Sequence, residues 1–287
     1  MGSLNNQVVI ITGTSSGIGL ATANLALNEG ARVIGIDMSD AAPAELEQNP
    51  NFHFVSGDIS SSNTSQQAAQ AATARFGKVD ALFNIAGVMD HYGSVDTVTD
   101  SLWERSLAVN LTGPVRLMRE VIPIMRRQRS GCIVNVASKA ATSGAAAGVA
   151  YTASVFFLLI HLFPFHSLAL LSSALPHLLI QVPGKHGLLG VTKNVAWRFK
   201  EENIRCNAVC PGGVATALTS SPRPIDMDFE ALETMKPVHR AHMPPDSNPQ
   251  PYIRAVDVAA TIVFLASETS RHISGAVIPI DNAWSVI

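Results

Sequence analysis

The sequence predicts a single α/β domain, built as a doubly wound parallel sheet with helices on both faces. Three observations support this fold class. Short runs rich in β-branched residues alternate with longer helical patterns along the chain. The first run, Val8–Thr12, is continuously apolar, as expected for a strand buried on both faces. A glycine-rich turn follows it and opens a helix. The 287 residues suit one large domain, so 1–287 is predicted to be a single folding unit.

The alternation of strands and helices can be followed along the chain outside one apolar segment. The predicted strands are Val8–Thr12, Arg32–Asp37, Phe52–Ser56, Ala81–Asn84, Cys132–Val136, Arg205–Val209 and Ala276–Ile280. The predicted helices run from the glycine turn to about Glu29 and over Thr64–Phe76, Ser101–Arg127, Lys185–Glu201 and Ala255–Leu265. The segment Ser220–Tyr252 is rich in Pro, Met and His and has weak periodicity. We therefore expect a loop or a loose helix there, with residues 217–252 covering a substrate.

Composition and cysteine content exclude several classes of function. Charged residues make up 15% of the chain and the net charge is −2, which argues against a nucleic-acid partner and against a polybasic membrane surface. The three cysteines cannot form a disulfide framework, and the pair Cys206 and Cys210 lacks a second ligand pair. No metal site is therefore predicted. The N-terminus lacks the basic region and long apolar stretch of a signal peptide, so a cytoplasmic location is expected.

The turn after the first strand is a candidate dinucleotide site. Its sequence, Thr12-Gly13-Thr14-Ser15-Ser16-Gly17-Ile18-Gly19, has the spacing G-x3-G-x-G between a strand and a helix. Glycines there permit a tight turn and a close approach of the backbone to a pyrophosphate, and the helix start offers free N–H groups. Residues of the turn are therefore predicted to bind the phosphates of a nicotinamide cofactor.

Asp37, at the end of the second strand, predicts which nicotinamide cofactor is used. It lies eighteen residues after Gly19, where a carboxylate can accept hydrogen bonds from the adenosine ribose and would repel a 2′-phosphate. No Arg or Lys lies in the glycine turn or directly after Asp37. NAD is therefore predicted in preference to NADP. The alternative is that Asp37 only caps the turn that follows it.

Taken together, these motifs resemble the short-chain dehydrogenase/reductase family, a Rossmann-like fold, over nearly the whole chain. Asn84-Ile85-Ala86-Gly87 is similar to the family's Asn-Asn-Ala-Gly motif, with Ile85 in place of the second Asn. Tyr151 follows Ser138 by thirteen residues, as the catalytic tyrosine follows the catalytic serine in the family. The resemblance further matches the adenine contact at Asp58-Ile59, the helix asparagine at Asn110, and the nicotinamide-side loop Pro211-Gly212-Gly213-Val214-Ala215-Thr216.

The resemblance implies a role for each matched residue. Tyr151 would be the acid/base, Lys185 would tune it and bind the nicotinamide ribose, Ser138 would hold the substrate oxygen, and Asn110 would position the lysine through a water. The cofactor-binding residues implied are Gly13, Ser15, Ser16, Gly17, Ile18, Gly19, Asp37, Asp58, Ile59, Asn84, Ala86, Gly87, Tyr151, Lys185, Pro211, Gly212, Val214 and Thr216. The family's late Asp-Gly-Gly appears here as Asp281-Asn282-Ala283, a change expected to affect only the C-terminal turn. A homodimer or homotetramer is also implied.

The pairing of tyrosine with lysine has a physical basis. A free tyrosine has a pKa near 10 and is a poor base at neutral pH, whereas a nearby ammonium favours the phenolate. At positions i and i+4 of a helix the two side chains share one face. Here Ser154 is followed by Val155, and Lys185 comes only 34 residues after Tyr151.

The intervening thirty residues, Val155–Gly184, contain no Asp, Glu, Lys or Arg. Three explanations are open. A membrane span would need a long apolar helix, but this segment contains prolines, histidines and serines, and a span would divide the sheet between the two sides of the bilayer. A genuine insertion could loop out, since loop closure costs little, but it would interrupt a helix at the site. We favour a translated intron: the residue types match pyrimidine-rich codons, and removal restores Tyr-Thr-Ala-Ser-Lys in frame.

These observations predict an oxidoreductase that moves a hydride between NAD(H) and a secondary alcohol or ketone of an apolar or cyclic small molecule. The segment Ala217–Tyr252 carries few charges suited to a phosphate or a thioester carrier. The alternative is a catalytically impaired, cofactor-binding protein that acts through interactions or at a membrane surface.

Overall fold

Seven parallel strands form the central sheet, in the order β3-β2-β1-β4-β5-β6-β9. The computed structural model describes residues 2–144, 146–152, 184–216, 227–242 and 253–286. The strands of this sheet are β1 (Val8–Thr12), β2 (Arg32–Asp37), β3 (Phe52–Ser56), β4 (Ala81–Asn84), β5 (Gly131–Val136), β6 (Ile204–Pro211) and β9 (Val277–Ile280). A short parallel pair joins β7 (Val214–Ala215) to β8 (Ile253–Arg254). The chain reverses its direction of winding between β1 and β4, so the carboxyl ends of these strands open the crevice where such sheets bind dinucleotides.

Helices cover both faces of the sheet, which confirms the predicted fold class. They are α1 (Gly17–Asn28), α2 (Ala44–Glu47), α3 (Ser62–Phe76), α4 (Asp100–Leu107), α5 (Gly113–Gln128), α6 (Val149–Thr152), α7 (Gly184–Arg198), α8 (Phe229–His242) and α9 (Ala255–Ala266). Helices α1 and α9 pack together on one face, and α3 and α5 pack together on the other. The strands are apolar on both sides because each side is covered by a helical layer.

The core consists of two layers, one on each face of the sheet. Alternate residues of β1 separate between them: Val9 and Ile11 belong to the layer beneath α1 and α9, whereas Val8 and Ile10 belong to the layer beneath α3, α5 and α7. This alternation follows from the two-residue period of a strand. The three cysteines are buried in β5 and β6, and burial raises the pKa of the Cys132 thiol to about 11.

Several predicted strands and helices have ends shifted by one to three residues, and two predicted elements differ from the structure by more than that. The long helix predicted over Ser101–Arg127 is divided, because a π-helical turn over Ala108–Thr112 separates α4 from α5. The segment predicted to be loop or loose helix contains the regular helix Phe229–His242. Its start is capped by Asp228, which accepts a hydrogen bond of 2.8 Å from the backbone N–H of Ala231. Residues 217–226 and 243–252 of the predicted substrate-covering segment lie outside the described residues.

The predicted insert Val155–Gly184 also lies outside the described residues, except that Gly184 begins α7. Within the described ranges, no helix is both long enough and apolar enough to cross a bilayer. Helix α7 packs against β6 and α6. The short helix that carries Tyr151 and the helix that begins beside Lys185 are therefore neighbours in space.

Phe83 offers a direct test of the core. It lies in the middle strand of the sheet and is fully buried. We expect Phe83→Ala to lower the free energy of unfolding by about 3–5 kcal/mol, since it removes a large apolar side chain and leaves a cavity. Phe264→Ala is the matched control, because Phe264 is 42% exposed. Chemical denaturation of both variants measures the difference, and equal losses of stability would contradict this assignment of the core.

Candidate active site

The turn between β1 and α1 is shaped by its glycines. Gly13 and Gly17 have φ angles of +78° and +54°, a region that favours glycine. A Cβ atom at Gly19 would overlap the carbonyl oxygen of Gly13, and a Cβ at Gly13 would lie 3.2 Å from the Cα of Ala86. The backbone of the turn is therefore packed closely against the end of β4, and only glycine fits at these positions.

The same turn has hydrogen-bonding groups available for a cofactor. Within the described part of the chain, Thr14 Oγ1 and Ser15 Oγ are buried without a hydrogen-bond partner. Ser16 occupies the N-cap of α1 but makes no side-chain hydrogen bond to it, so the first N–H groups of that helix are not capped by Ser16. Buried polar groups usually have partners, and a pyrophosphate over this turn would supply acceptors for them. The turn fits a dinucleotide.

Asp37 joins the end of β2 to the glycine turn. Its carboxylate accepts a hydrogen bond of 3.0 Å from the backbone N–H of Ser15 and one of 3.2 Å from Ser39. Asp37 thus borders the turn where the ribose next to the adenine is expected. The capping role that the sequence left open is also present, because the bond from Ser39 closes the turn after β2.

Sequence reasoning missed Arg105, which reaches the adenosine end of this crevice from α4. Its guanidinium lies 2.6 Å from the carboxylate of Asp58 and 3.3 Å from the sulfur of Met38, directly after Asp37. Burial raises the pKa of Asp58, but hydrogen bonds from Ser60 and Arg105 outweigh it and hold that pKa below its usual value. Arg105 is far from Met38 and Asp58 in sequence, so only the fold brings it into contact with them. Ile59, the other predicted adenine contact, is buried beside Asp58.

Thr12 is a second residue that sequence reasoning left without a role. Its buried hydroxyl accepts hydrogen bonds from the backbone N–H groups of Ile85 and Ala86, at 2.8 and 2.9 Å. This ties the end of β1 to the end of β4, on the two sides of the strand-order reversal. Ile85, the departure from the family's second Asn, packs into the core beneath α1 and α9. Packing in this core therefore explains why an apolar residue occupies position 85.

A buried chain of polar side chains links the sheet to α7. Asn84 donates to Asn135 Oδ1 at 2.8 Å, and Asn135 donates to Thr192 Oγ1 at 2.9 Å. The two asparagines are direct neighbours across β4 and β5, and Thr192 lies on α7. Each link satisfies a buried polar group, so the position of α7 against the sheet is fixed at this point.

Asn110 lies in the π-helical turn and is fully buried. Its side-chain oxygen accepts from the N–H of Val88 and its side-chain nitrogen donates to the carbonyl of Val88, both at 3.0 Å. The amide therefore fixes the segment after Ala86 and Gly87. π-helical turns inside helices are frequent at functional sites. The water-mediated contact between Asn110 and Lys185 stays a prediction.

Ser138 and Tyr151 meet where β5 ends. The Ser138 side chain is close enough to the Tyr151 phenol to lower its pKa, and Ser138 accepts a bond of 3.2 Å from the N–H of Ala140. Burial raises the pKa of Tyr151 to about 12, with a smaller contribution from the charge of Asp90, and the Ser138 hydroxyl lowers it. The phenol is therefore buried in surroundings that favour its neutral form. Lys185 lies in the first turn of the neighbouring α7.

The loop after β6 closes the other side of the crevice. A Cβ at Gly17 would lie 3.2 Å from the side chain of Thr216, so the loop Pro211–Thr216 contacts the glycine turn. Gly212 donates to the carbonyl of Ile280 at 2.9 Å, and Val214 pairs with Ile253 in the small sheet. The predicted nicotinamide-side loop thus faces the predicted phosphate turn across the crevice.

Three aromatic rings lie over this end of the sheet. The ring of His239, on α8, lies 6.3 Å from that of Tyr92 and 5.8 Å from that of Trp284, measured between centroids. Trp284 approaches within 3.4 Å of the Cβ position of Gly212. The turn before Trp284 keeps positive φ angles at Asn282 and Ala283, where the family has glycines. Tyr92, His239 and Trp284 are called the aromatic cluster below.

Comparisons with known proteins agree with this geometry. Residues 7–161 match the family model described as short chain dehydrogenase, and residues 167–284 match the one described as enoyl-(acyl carrier protein) reductase. A short-chain dehydrogenase/reductase of Talaromyces verruculosus is 52% identical over 100% of both chains, and so is the asnovolin H dehydrogenase of Aspergillus novofumigatus. The solved structure of levodione reductase superimposes with a TM-score of 0.73 at 27% identity, over 99% of each chain.

A parallel sheet with a glycine turn at its reversal point, a serine–tyrosine pair and a facing loop define a nicotinamide-dependent oxidoreductase. With these matches, the chain belongs to the short-chain dehydrogenase/reductase family. The family prediction and the enzyme class predicted from sequence are therefore confirmed. The first family match ends, and the second begins, inside the apolar segment Val155–Gly184.

Substitution of Gly19 tests the turn. In Gly19→Ala the new methyl group would overlap the carbonyl oxygen of Gly13 and displace the turn. Overpacking of this kind costs about 1–3 kcal/mol, so we expect cofactor affinity to fall by about 10- to 100-fold. Gly190→Ala is the control, since a Cβ at Gly190 meets no atom within 4 Å. Isothermal titration with NAD and NADP measures both variants, and unchanged affinity for each cofactor in Gly19→Ala would exclude the turn as the phosphate site.

Proposed function

We propose that this enzyme transfers a hydride between NAD(H) and a secondary alcohol or ketone of an apolar or cyclic small molecule. The observation that carries the proposal is the buried contact between the hydroxyls of Tyr151 and Ser138 at the edge of the crevice. A substrate oxygen held by the two hydroxyls would be close to a group that can give or take its proton. The nicotinamide ring, when bound, supplies the site that accepts or donates the hydride.

Each residue at this edge has a defined task in the proposal. Ser138 donates a hydrogen bond that holds the substrate oxygen, and Tyr151 takes or returns the hydroxyl proton. Lys185 favours the phenolate, since a nearby ammonium opposes the effect of burial on the pKa of Tyr151. Asn110 holds the segment that follows β4 through Val88. Removal of the acid/base group is expected to lower kcat by about 10² to 10⁴.

The aromatic cluster supports an apolar or cyclic substrate. It covers the crevice from α8, from the segment after β4 and from the C-terminal turn. Aromatic faces bury large apolar area and leave few groups to pair with a phosphate. Two similar proteins are named for such compounds, one as an asnovolin H dehydrogenase and the other as a levodione reductase.

NAD is the proposed cofactor, with NADP as the less favoured alternative. The Asp37 carboxylate lies beside the turn and would repel a 2′-phosphate, and Arg105 is already paired with Asp58. We expect Asp37→Ser to raise KM for NAD and to lower KM for NADP, each by about 10-fold, because the ribose loses an acceptor and the phosphate loses a repelling charge. Steady-state kinetics with both cofactors measure the ratio. Asp40→Ser, at an exposed position shortly after, is the control.

We further propose that residues Val155–Gly184 are translated intron, which leaves one catalytic domain over the rest of the chain. The proposal is supported by the break between the two family matches, after residue 161 and before residue 167, which falls inside this segment, although both matches extend into it. A genuine insertion that loops out and a membrane-contacting element are the competing explanations. If the segment stays in the mature protein, the second candidate function is a catalytically impaired cofactor-binding protein, favoured by the pKa of about 12 for the buried Tyr151.

Deletion of the segment distinguishes these proposals. We expect a chain without Val155–Gly184 to form NADH from cyclohexanol, menthol or borneol at least 10²-fold faster than the full chain, because Lys185 returns to position i+4 from Tyr151. Tyr151→Phe in the shortened chain is the control and is expected to abolish the gain. Equal activity of the full and shortened chains would overturn the intron proposal, and so would coding DNA whose codons at Ser154 and Pro183 exclude splice sites.

A homodimer or homotetramer and a cytoplasmic location remain proposals. Trp197 on α7 is 73% exposed in the single chain and its ring carries the Lys200 ammonium at 3.4 Å from the centroid, so a second copy that covers α7 would bury this side chain. Sedimentation of the wild-type chain and of a Trp197→Lys variant measures the oligomeric state.

A further inference from the structure

Asp90 is a buried carboxylate that the proposed mechanism does not use. It lies six residues after the end of β4 and is fully buried. Its two oxygens accept three backbone hydrogen bonds: Oδ1 from Tyr92 at 3.3 Å and from Gly148 at 3.2 Å, and Oδ2 from Tyr151 at 2.5 Å. Buried carboxylates are rare unless they are paired or hydrogen-bonded, so these contacts explain how Asp90 is tolerated.

Two of these three donors lie at the start of α6, the helix that carries Tyr151. Asp90 thus satisfies N–H groups that a helix cannot satisfy itself, although it is distant in sequence. The segment around it is fitted closely to the helix. Gly148 could not carry a side chain, because its Cβ would lie 2.5 Å from the carbonyl carbon of Tyr92. The N–H of Val149 donates to the carbonyl of Gly93 at 2.7 Å.

The backbone next to Asp90 is strained. His91 and Tyr92 have φ angles of +55° and +68°, which bulky side chains rarely adopt. Strain of this kind persists where the surroundings hold it, and it concentrates at functional sites. Here the strained residues directly follow Asp90, and the N–H of Tyr92 donates to the same carboxylate as the N–H groups of Gly148 and Tyr151.

We propose that Asp90 is a positioning residue that fixes the Tyr151 helix against the crevice through its bonds to the N–H groups of Gly148 and Tyr151. This inference rests on the proposed role of Tyr151 as the acid/base. Through its bond to the Tyr151 N–H, Asp90 sets the distance between that phenol and Ser138. Burial raises the pKa of Asp90, and the backbone hydrogen bonds from Tyr151, Tyr92 and Gly148 act against this rise. In its charged form the carboxylate favours the neutral phenol, and hence the form that donates a proton to a carbonyl in the reducing direction.

The charge balance around the phenol is shared among several elements. Asp90 and Tyr92 from the segment after β4, and Cys210 from β6, raise the pKa of Tyr151, and the Ser138 hydroxyl lowers it. The other described elements that pack against α6 also carry charged residues: Lys139 in the turn after Ser138, Lys185, Lys193 and Arg198 on α7, and Asp100, Glu104 and the Asp58-paired Arg105 on α4.

Titration of tyrosinate absorbance in the full chain tests the charge effect without any need for activity. The chain has three tyrosines, so the difference between each protein and its Tyr151→Phe counterpart reports Tyr151 alone. We expect Asp90→Asn to lower the pKa of Tyr151 by about one pH unit, because the neutral amide no longer repels the phenolate. Asp96→Asn, at an exposed position of the same segment, is the control and is expected to leave the titration unchanged.

Kinetics test the positioning effect. Asp90→Asn keeps an acceptor for part of the helix start, whereas Asp90→Ala keeps none. We measure kcat with whichever of cyclohexanol, menthol and borneol turns over fastest. We expect kcat to fall about 10-fold in Asp90→Asn and about 10²-fold in Asp90→Ala, with KM for NAD unchanged. The reason is that displacing a catalytic group by about 1 Å can lower the rate about 10²-fold. An unshifted Tyr151 titration in Asp90→Asn, or kcat within twofold of the wild-type chain in Asp90→Ala, would overturn the inference. If Asp90→Asn shifts the Tyr151 titration but the wild-type chain turns over no alcohol, the proposed function is rejected. The control of the phenol by Asp90 would then still stand.

Discussion

Burial of the Tyr151 hydroxyl is the constraint on which the rest of the site depends. A buried phenol has a pKa of about 12 in these surroundings, far above neutrality. It can exchange a proton with a substrate only if its neighbours offset the cost of placing a charge there. Ser138 offers a hydrogen bond to the phenol, and the helix that begins at Gly184 lies beside it. The carboxylate of Asp90 acts in the opposite direction, so the balance among these groups, rather than the tyrosine itself, sets the working pH.

Two networks of buried polar side chains keep that balance in place. The hydroxyl of Thr12 joins β1 to β4 beneath the cofactor turn, and Asn84, Asn135 and Thr192 join the sheet to α7. Each network places polar groups where apolar residues could have packed, and the hydrogen bonds within it offset the cost of burying them, although Asn84 Oδ1 is buried with no hydrogen-bond partner among the described residues. Both run along the carboxyl ends of the strands, where the strand order reverses and where the crevice opens. The polar residues of this core therefore mark the site.

The strands could be predicted from sequence because they are buried on both faces. A continuous apolar run as short as Val8–Thr12, followed directly by a glycine turn, favours a strand over a buried helix, and the structure gives it the same bounds. The π-helical turn at Ala108–Thr112 was not predicted, because the backbone stays helical through it and the helix continues on both sides. Arg105 and Asp90 were missed for another reason. Each acts on a residue more than forty positions away, and no local pattern records such a contact.

The two helices that border the apolar segment are held by separate anchors. Helix α6 is fixed at its start by Asp90, and α7 is fixed through Thr192 and the fully buried Leu188. Neither set of contacts includes the residues between them, so the sheet can position both helix fragments whatever joins them. The segment between α6 and α7 does, however, determine the position of Lys185 relative to Tyr151. In one continuous helix the i, i+4 spacing sets that register at no further cost, whereas two separate fragments must fix it by packing alone. If Val155–Gly184 interrupts the helix, as we propose, these anchors would keep the fold and the cofactor turn in place, whereas the i, i+4 register that brings Lys185 to Tyr151 would be lost.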